Sequence, residues 1–174
     1  MSRWNYEKGL HDLGNGIYAY LQPDGSWGWS NAGLIIDGDQ SLLVDTLFDE
    51  KITGDMLDIM YDATGQSAGD INTLVNTHAN GDHTYGNRLV SQAEIIASKA
   101  GAQEMDDVPP QMLAELMRNA PQMGELGQYL TDRFAVFDFE NIELTLPTRT
   151  FSDRLEITVG DKEVHLTEVG PAHT

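Results

Sequence analysis

The chain of 174 residues contains no cysteine, which excludes disulfide frameworks, thiolate metal sites and cysteine nucleophiles. Any metal would therefore rest on histidine, carboxylate or amide donors. Positive charge is scarce: ten Lys and Arg stand against 28 Asp and Glu, a formal charge of -18. Such a surface repels phosphate backbones and anionic lipid, so neither nucleic acid nor membrane is an expected partner. It also suits a protein kept soluble at high salt. No run of 18 or more apolar residues occurs, and the opening MSRWNYEKGL lacks the apolar stretch of a secretion signal, so a cytoplasmic location is expected. Internal repeats, low-complexity tracts and obvious linkers are missing too. What remains, 40% hydrophobic and 22% charged, is the composition of one globular domain with a sizeable core.

The densest chemistry lies in NTHANGDHTYGN, Asn76 to Asn87, directly after the apolar run Ile71 to Val75. His78 and Asn80 stand two residues apart, so an extended chain aims both side chains the same way. Gly81 permits a turn that swings Asp82 and His83 back toward them, bringing two imidazoles, a carboxylate and an amide to a shared centre. The plainer alternative is a polar strand-to-helix loop whose Asn, Asp and Thr side chains satisfy local backbone groups.

Around this loop the pattern predicts an α/β fold. Asn15 to Gln22 reads as a strand, followed by a loop carrying Trp27 and Trp29. GLIID and SLLVDT flank a compact turn at Gly38 to Gln40 and form an antiparallel hairpin over Gly33 to Thr46. Glu50 to Gly65 places Ile52, Met56, Ile59 and Met60 at helical spacing, with Gly65 as C-cap. INTLVNT is a buried strand delivering His78 at its C-terminal end, where α/β folds commonly place ligands. Ala93 to Ser98 is a further strand and Lys99 to Met105 a short helix, interrupted by Pro109 and Pro110. Gln111 to Arg118 and Gly124 to Phe134 follow as helices whose Met112, Leu113, Leu116, Met117, Leu126 and Leu130 form an apolar face, for the core or for a lid or partner surface. LEITVGDKEVHLTEV alternates around Gly160 and Asp161, a hairpin burying Leu155, Ile157, Val159, Val164 and Leu166. His165 falls on its solvated face and is read, like His11, as surface.

This order of strands, covering helix, His-rich loop and GPAHT at Gly170 to Thr174 resembles the metallo-β-lactamase superfamily over most of the chain. The family motif H-x-H-x-D-H reads here His78-Ala79-Asn80-Gly81-Asp82-His83, and GPAHT is similar to the later loop that supplies a histidine, His173 in this sequence. The resemblance implies an αββα sandwich in a single domain, 1–174, with a metal centre at one edge of the sheets. One metal would be held by His78, residue 80 and His173; a second would use Asp82, His83 and a final histidine. Two departures are visible. Asn80 replaces the second motif histidine, and its neutral amide oxygen is a weaker zinc ligand than imidazole, leaving it to bind weakly or to anchor a water. The sequence also stops at Thr174, ahead of the strands from which the family draws its bridging aspartate and last histidine. That implies a longer gene product, a complementing chain or a symmetric homodimer.

The activity the resemblance implies is hydrolysis by a metal-activated water, with Asp82 orienting or deprotonating it, zinc as the cofactor and one ion rather than two. The substrate would be a small ester, lactone, thioester or lactam, with Trp27 and Trp29 gripping its apolar part or else anchoring their own loop by burial. Two rival readings follow from the same residues: an iron-dependent redox enzyme, since imidazole and carboxylate suit iron as well, and a non-catalytic member acting as a binding or interaction domain.

Overall fold

Seven short segments pair into one sheet in the computed structural model, which describes residues 7–23 and 26–171. They are β1 (Gly9–Gly14), β2 (Ile17–Leu21), β3 (Ala32–Asp37), β4 (Gln40–Val44), β5 (Thr73–Val75), β6 (Glu94–Ser98) and β7 (Arg149–Phe151), adjacent in chain order. β1 to β4 form an antiparallel meander, whereas β4 to β7 run parallel. The β3–β4 hairpin expected from the sequence closes through Gly38 at φ 60, with Asp37 opposite Gln40. Parallel neighbours need a crossover, and helix α1 (Glu50–Thr64) supplies it between β4 and β5.

The Asp49 carboxylate caps α1 by accepting from the Ile52 N–H at 2.8 Å, and Gly65 ends it at φ 76. Thr53, Met56, Leu57 and Met60 are its buried residues, and the three apolar ones join Leu34, Leu43, Leu74 and Ile95 in the main core. Ile59, expected on this stripe, is 39% exposed. At 100° per residue the buried face runs through 53, 56, 57 and 60, and Leu57 takes the place the sequence pattern assigned to Ile59.

On the opposite face of the sheet lies the second hairpin, β8 (Arg154–Val159) with β9 (Lys162–Thr167). Its Leu155, Ile157, Val159, Val164 and Leu166 pack against Leu42, Val75 and Ile96, as the alternation predicts. Asp37 pins its turn, accepting from the Asp161 N–H at 2.7 Å and pairing with Lys162 Nζ at 2.8 Å. Gly160 at that turn sits so close that a Cβ would lie 2.7 Å from the Asp37 Cβ. Helix, seven-stranded sheet and hairpin stack in the α-β-β order of the expected sandwich. His165 is exposed beside Glu156 and Glu163, and His11 is half-buried with Nε2 2.8 Å from the Glu7 carbonyl, so both have the local surface partners the sequence reading expects.

Three helices, α3 (Lys99–Asp107), α4 (Pro110–Asn119) and α5 (Gly124–Phe134), bridge β6 and β7. Their expected apolar face divides. Leu130 is buried, and Leu113 and Met117 pack on the aromatic cluster of Phe48, Tyr85, Phe137 and Phe139. Met112 and Leu126 are each 55% exposed. Among the described residues no helix is long and apolar enough to cross a membrane.

Candidate functional site

Parallel pairing brings the ends of β4 and β5 side by side. The Asp45 N–H donates to the Val75 carbonyl at 2.9 Å and the Asn76 N–H to that of Ile96 at 2.9 Å. Asp45 takes a left-handed backbone, φ 61, which turns its buried side chain under the loop that follows β5. There its carboxylate accepts from the Thr77 N–H at 2.7 Å, the Thr77 hydroxyl at 2.7 Å and His83 Nδ1 at 2.8 Å. A carboxylate acceptor requires a proton on His83 Nδ1, so in the neutral ring the Nε2 lone pair turns outward. The Thr77 hydroxyl gives its proton to Asp45 and so accepts from His78 Nδ1, 2.9 Å away. One buried aspartate thereby sets the tautomer of both imidazoles.

The rings of His78 and His83 lie 4.2 Å apart between centroids, inclined by 51°. Asp82 Oδ2 stands 3.6 Å from His83 Nε2. Two ligands of a tetrahedral zinc at ordinary bond lengths are separated by about 3.4 Å, so this pair has the spacing of neighbouring donors. Burial acts to lower the His83 pKa, but the Asp45 hydrogen bond, the Asp45 charge and then the Asp82 charge outweigh it, and the net shift is upward.

Several polar residues of the motif do the structural work foreseen in the plainer reading. The His83 carbonyl accepts from the Thr46 N–H at 3.0 Å and from Asn76 Nδ2 at 3.0 Å. Asn87 Nδ2 donates to Asn76 Oδ1 at 2.9 Å and to the Thr145 carbonyl at 3.1 Å. Thr46, Asn76 and Asn87 are all buried, so this network holds the histidine loop onto the sheet. The Ser30 hydroxyl donates to the Asp82 carbonyl and ties in the Trp loop.

Gly81 permits the expected turn by close packing. It carries no positive φ; it opens the short helix α2 (Gly81–Thr84), and it is that helical turn which returns His83 toward His78. Glycine is required because a Cβ there would lie 2.5 Å from the Tyr85 ring. Tyr85 is buried, its phenol pushed up to about 12 by burial and then by the Asp82 charge, and it donates to the Val108 carbonyl at 3.4 Å.

Beside the loop opens a cleft of about 370 Å³. Trp27, Phe48, Tyr85, Val108, Leu113 and Phe134 form its apolar walls, and Asn80, Asp82 and Glu104 supply polar groups. Of the two tryptophans in the loop before β3, Trp27 lines this cleft, whereas Trp29 packs on Phe137 at 5.1 Å beneath Lys8 Nζ at 5.0 Å. His78, Asp82 and His83 thus share one loop and Asn80 borders the cleft. His173 lies outside the described residues. Among those described, no three His, Cys, Asp or Glu side chains gather into a metal-holding group. Two donors at ligand spacing begin a zinc shell and leave it incomplete among the described residues.

Sequence reasoning passed over Asp45, Thr77 and Glu104. For Asp45 a signal existed: an aspartate directly after the apolar run SLLV, at the end of the strand neighbouring the histidine strand. Thr77 and Glu104 carried none.

The sequence profile of the Metallo-beta-lactamase superfamily matches residues 25–174. Among solved structures, the chain is similar to a metallo beta lactamase from Hirschia baltica, with 24% identity, 57% of this chain and 48% of the other covered, and a TM-score of 0.46. It is similar also to the metallo-beta-lactamase FIM-1 from Pseudomonas aeruginosa in its mono-zinc form, with 22% identity, coverages of 56% and 45%, and a TM-score of 0.46. A metallo beta lactamase from Erythrobacter litoralis matches at 19% identity, with coverages of 56% and 44% and a TM-score of 0.46. The matched region thus spans about half the length of these relatives. No curated protein sequence matches the chain.

Proposed function

The chain belongs to the metallo-beta-lactamase superfamily, and from that premise we propose a metal-dependent hydrolase acting on a small ester, lactone, thioester or lactam. The observation that supports this most directly is His83, locked by Asp45 with Nε2 facing the Asp82 carboxylate at the mouth of an aromatic cleft. On this reading Asp82 and His83 would supply two donors to one zinc ion with His78 beside them, and donors beyond the described residues, His173 or a ligand from further chain, a complementing chain or a second copy, would complete the shell. The ion, when bound, supplies an acidified water and a polarised substrate carbonyl. The residues do the rest. Asp45 fixes the two imidazoles, Asn80 would orient water through its amide, Asp82 would accept that water's proton on its carboxylate, and the walls of Trp27 and Phe134 would hold the apolar acyl group.

The test is hydrolysis of a panel of aryl esters, lactones, thioesters and lactams by zinc-loaded protein, compared with Asp82→Ala. A loss in kcat/KM of about 100-fold or more is expected; unchanged hydrolysis by the variant would sink the mechanism. One observation favours a second reading, a non-catalytic scaffold: no complete ligand group gathers among the described residues. A protein that takes up no zinc at micromolar concentration would support it.

A further inference from the structure

We propose that the cleft selects ligands whose apolar, aromatic body carries a positive charge, with Glu104 as the charge-selecting residue. In the hydrolase reading, on which only the scissile bond rests, the substrate is then a cationic ester, lactone or related acyl compound.

Three features agree in sign. The first is the wall: Phe48 stacks on Tyr85 at 5.8 Å and meets Phe134 edge-on at 6.0 Å, and Trp27 at the mouth is 64% exposed. Trp29, two residues on, is half-buried against Phe137 and covered by Lys8, whereas Trp27 offers its indole to whatever enters. Aromatic faces attract cations, and quaternary ammonium groups most usefully, because desolvating them costs little. The second is the lining charge: the charged residues of the cleft are Asp82 and Glu104, both carboxylates. Asp82 lies against His83, while Glu104, exposed on α3, has no ion-pair partner among the described residues. The third is the field of the whole chain at -18, which raises the local concentration of cations and lowers that of anions. Away from any ion held by the loop, an acyl compound bearing a carboxylate or phosphate would meet all three as repulsion.

The experiment is calorimetric binding of two probes of one shape, (2-naphthylmethyl)trimethylammonium and 2-naphthylacetate, in about 0.15 M salt to screen distant charges. The cation is expected to bind about tenfold more tightly. Glu104→Gln should remove most of that preference and Glu104→Lys should reverse it. Glu163→Gln, on the exposed face of β9, should leave it unchanged, and Trp27→Ala should weaken both probes. Equal binding, preference for the anion, a preference untouched by Glu104→Gln, or binding untouched by Trp27→Ala would each overturn the proposal. Charge preference without turnover of a naphthyl ester would leave it standing and count against hydrolysis; turnover without charge preference would do the reverse.

Discussion

At the scale of single residues, the loop is governed by Asp45, whose three accepted hydrogen bonds set His83 and, through Thr77, His78. Because the folded-state pKa of His83 lies above its ordinary value, the pair stabilises the fold fully at pH below that ordinary value, and the stabilisation is lost as pH rises through the folded one. The gap in melting temperature between wild type and Asp45→Asn, both metal-free, should therefore be wider near pH 5.5 than near pH 8.5, roughly one to two units either side of an unperturbed histidine. A gap independent of pH would show that His83 is not protonated against Asp45. Asn87 carries a second prediction. Its amide links Asn76 and Thr145 with no exposure to water, so Asn87→Ala orphans buried polar groups and should cost about 2 kcal/mol in urea denaturation. A cost within about 0.5 kcal/mol would mean that water replaces the amide freely.

At the scale of elements, close approaches of backbone to side chain decide what is tolerated. Gly86 packs so tightly on α1 that a Cβ would lie 2.1 Å from the hydroxyl oxygen of Thr53, which is buried and donates to the Asp49 carbonyl at 2.7 Å. Gly86→Ala should destabilise by about 1–3 kcal/mol and lower zinc uptake with it, by tilting the loop away from α1; a variant with wild-type stability would contradict that packing. Long periodic elements were legible in the sequence because their patterns repeat: α1, the β3–β4 hairpin, and the β8–β9 hairpin with its buried face. β1 was not, since GLHDLG offers no alternation of branched residues between its glycines. β7 has three residues, and its pairing with β6 is made by backbone groups that no side-chain pattern announces. The site divides the same way. The motif histidines and Asp82 announced themselves by clustering, whereas Asp45 reaches them only because β4 and β5 become neighbours, a tertiary fact.

At the scale of the whole molecule, charge dominates. With 28 acidic side chains against ten basic ones, the folded chain repels itself, and screening should relieve the strain. The melting temperature should rise between about 0.02 M and 1 M sodium chloride, over which the Debye length falls from about 20 Å to 3 Å; a flat or falling curve would show that local ion pairs outweigh the net charge. The same field supports the proposed preference for cationic ligands, while family membership and the geometry at His83 support a metal.

The central proposal, that the loop from His78 to His83 takes part in holding a metal ion, is tested most directly by zinc content per chain after purification without chelator, measured on wild type and His83→Ala together. The account predicts about one zinc per wild-type chain and at least a tenfold loss in affinity for the variant. No zinc in the wild type, or equal zinc in both, would contradict it.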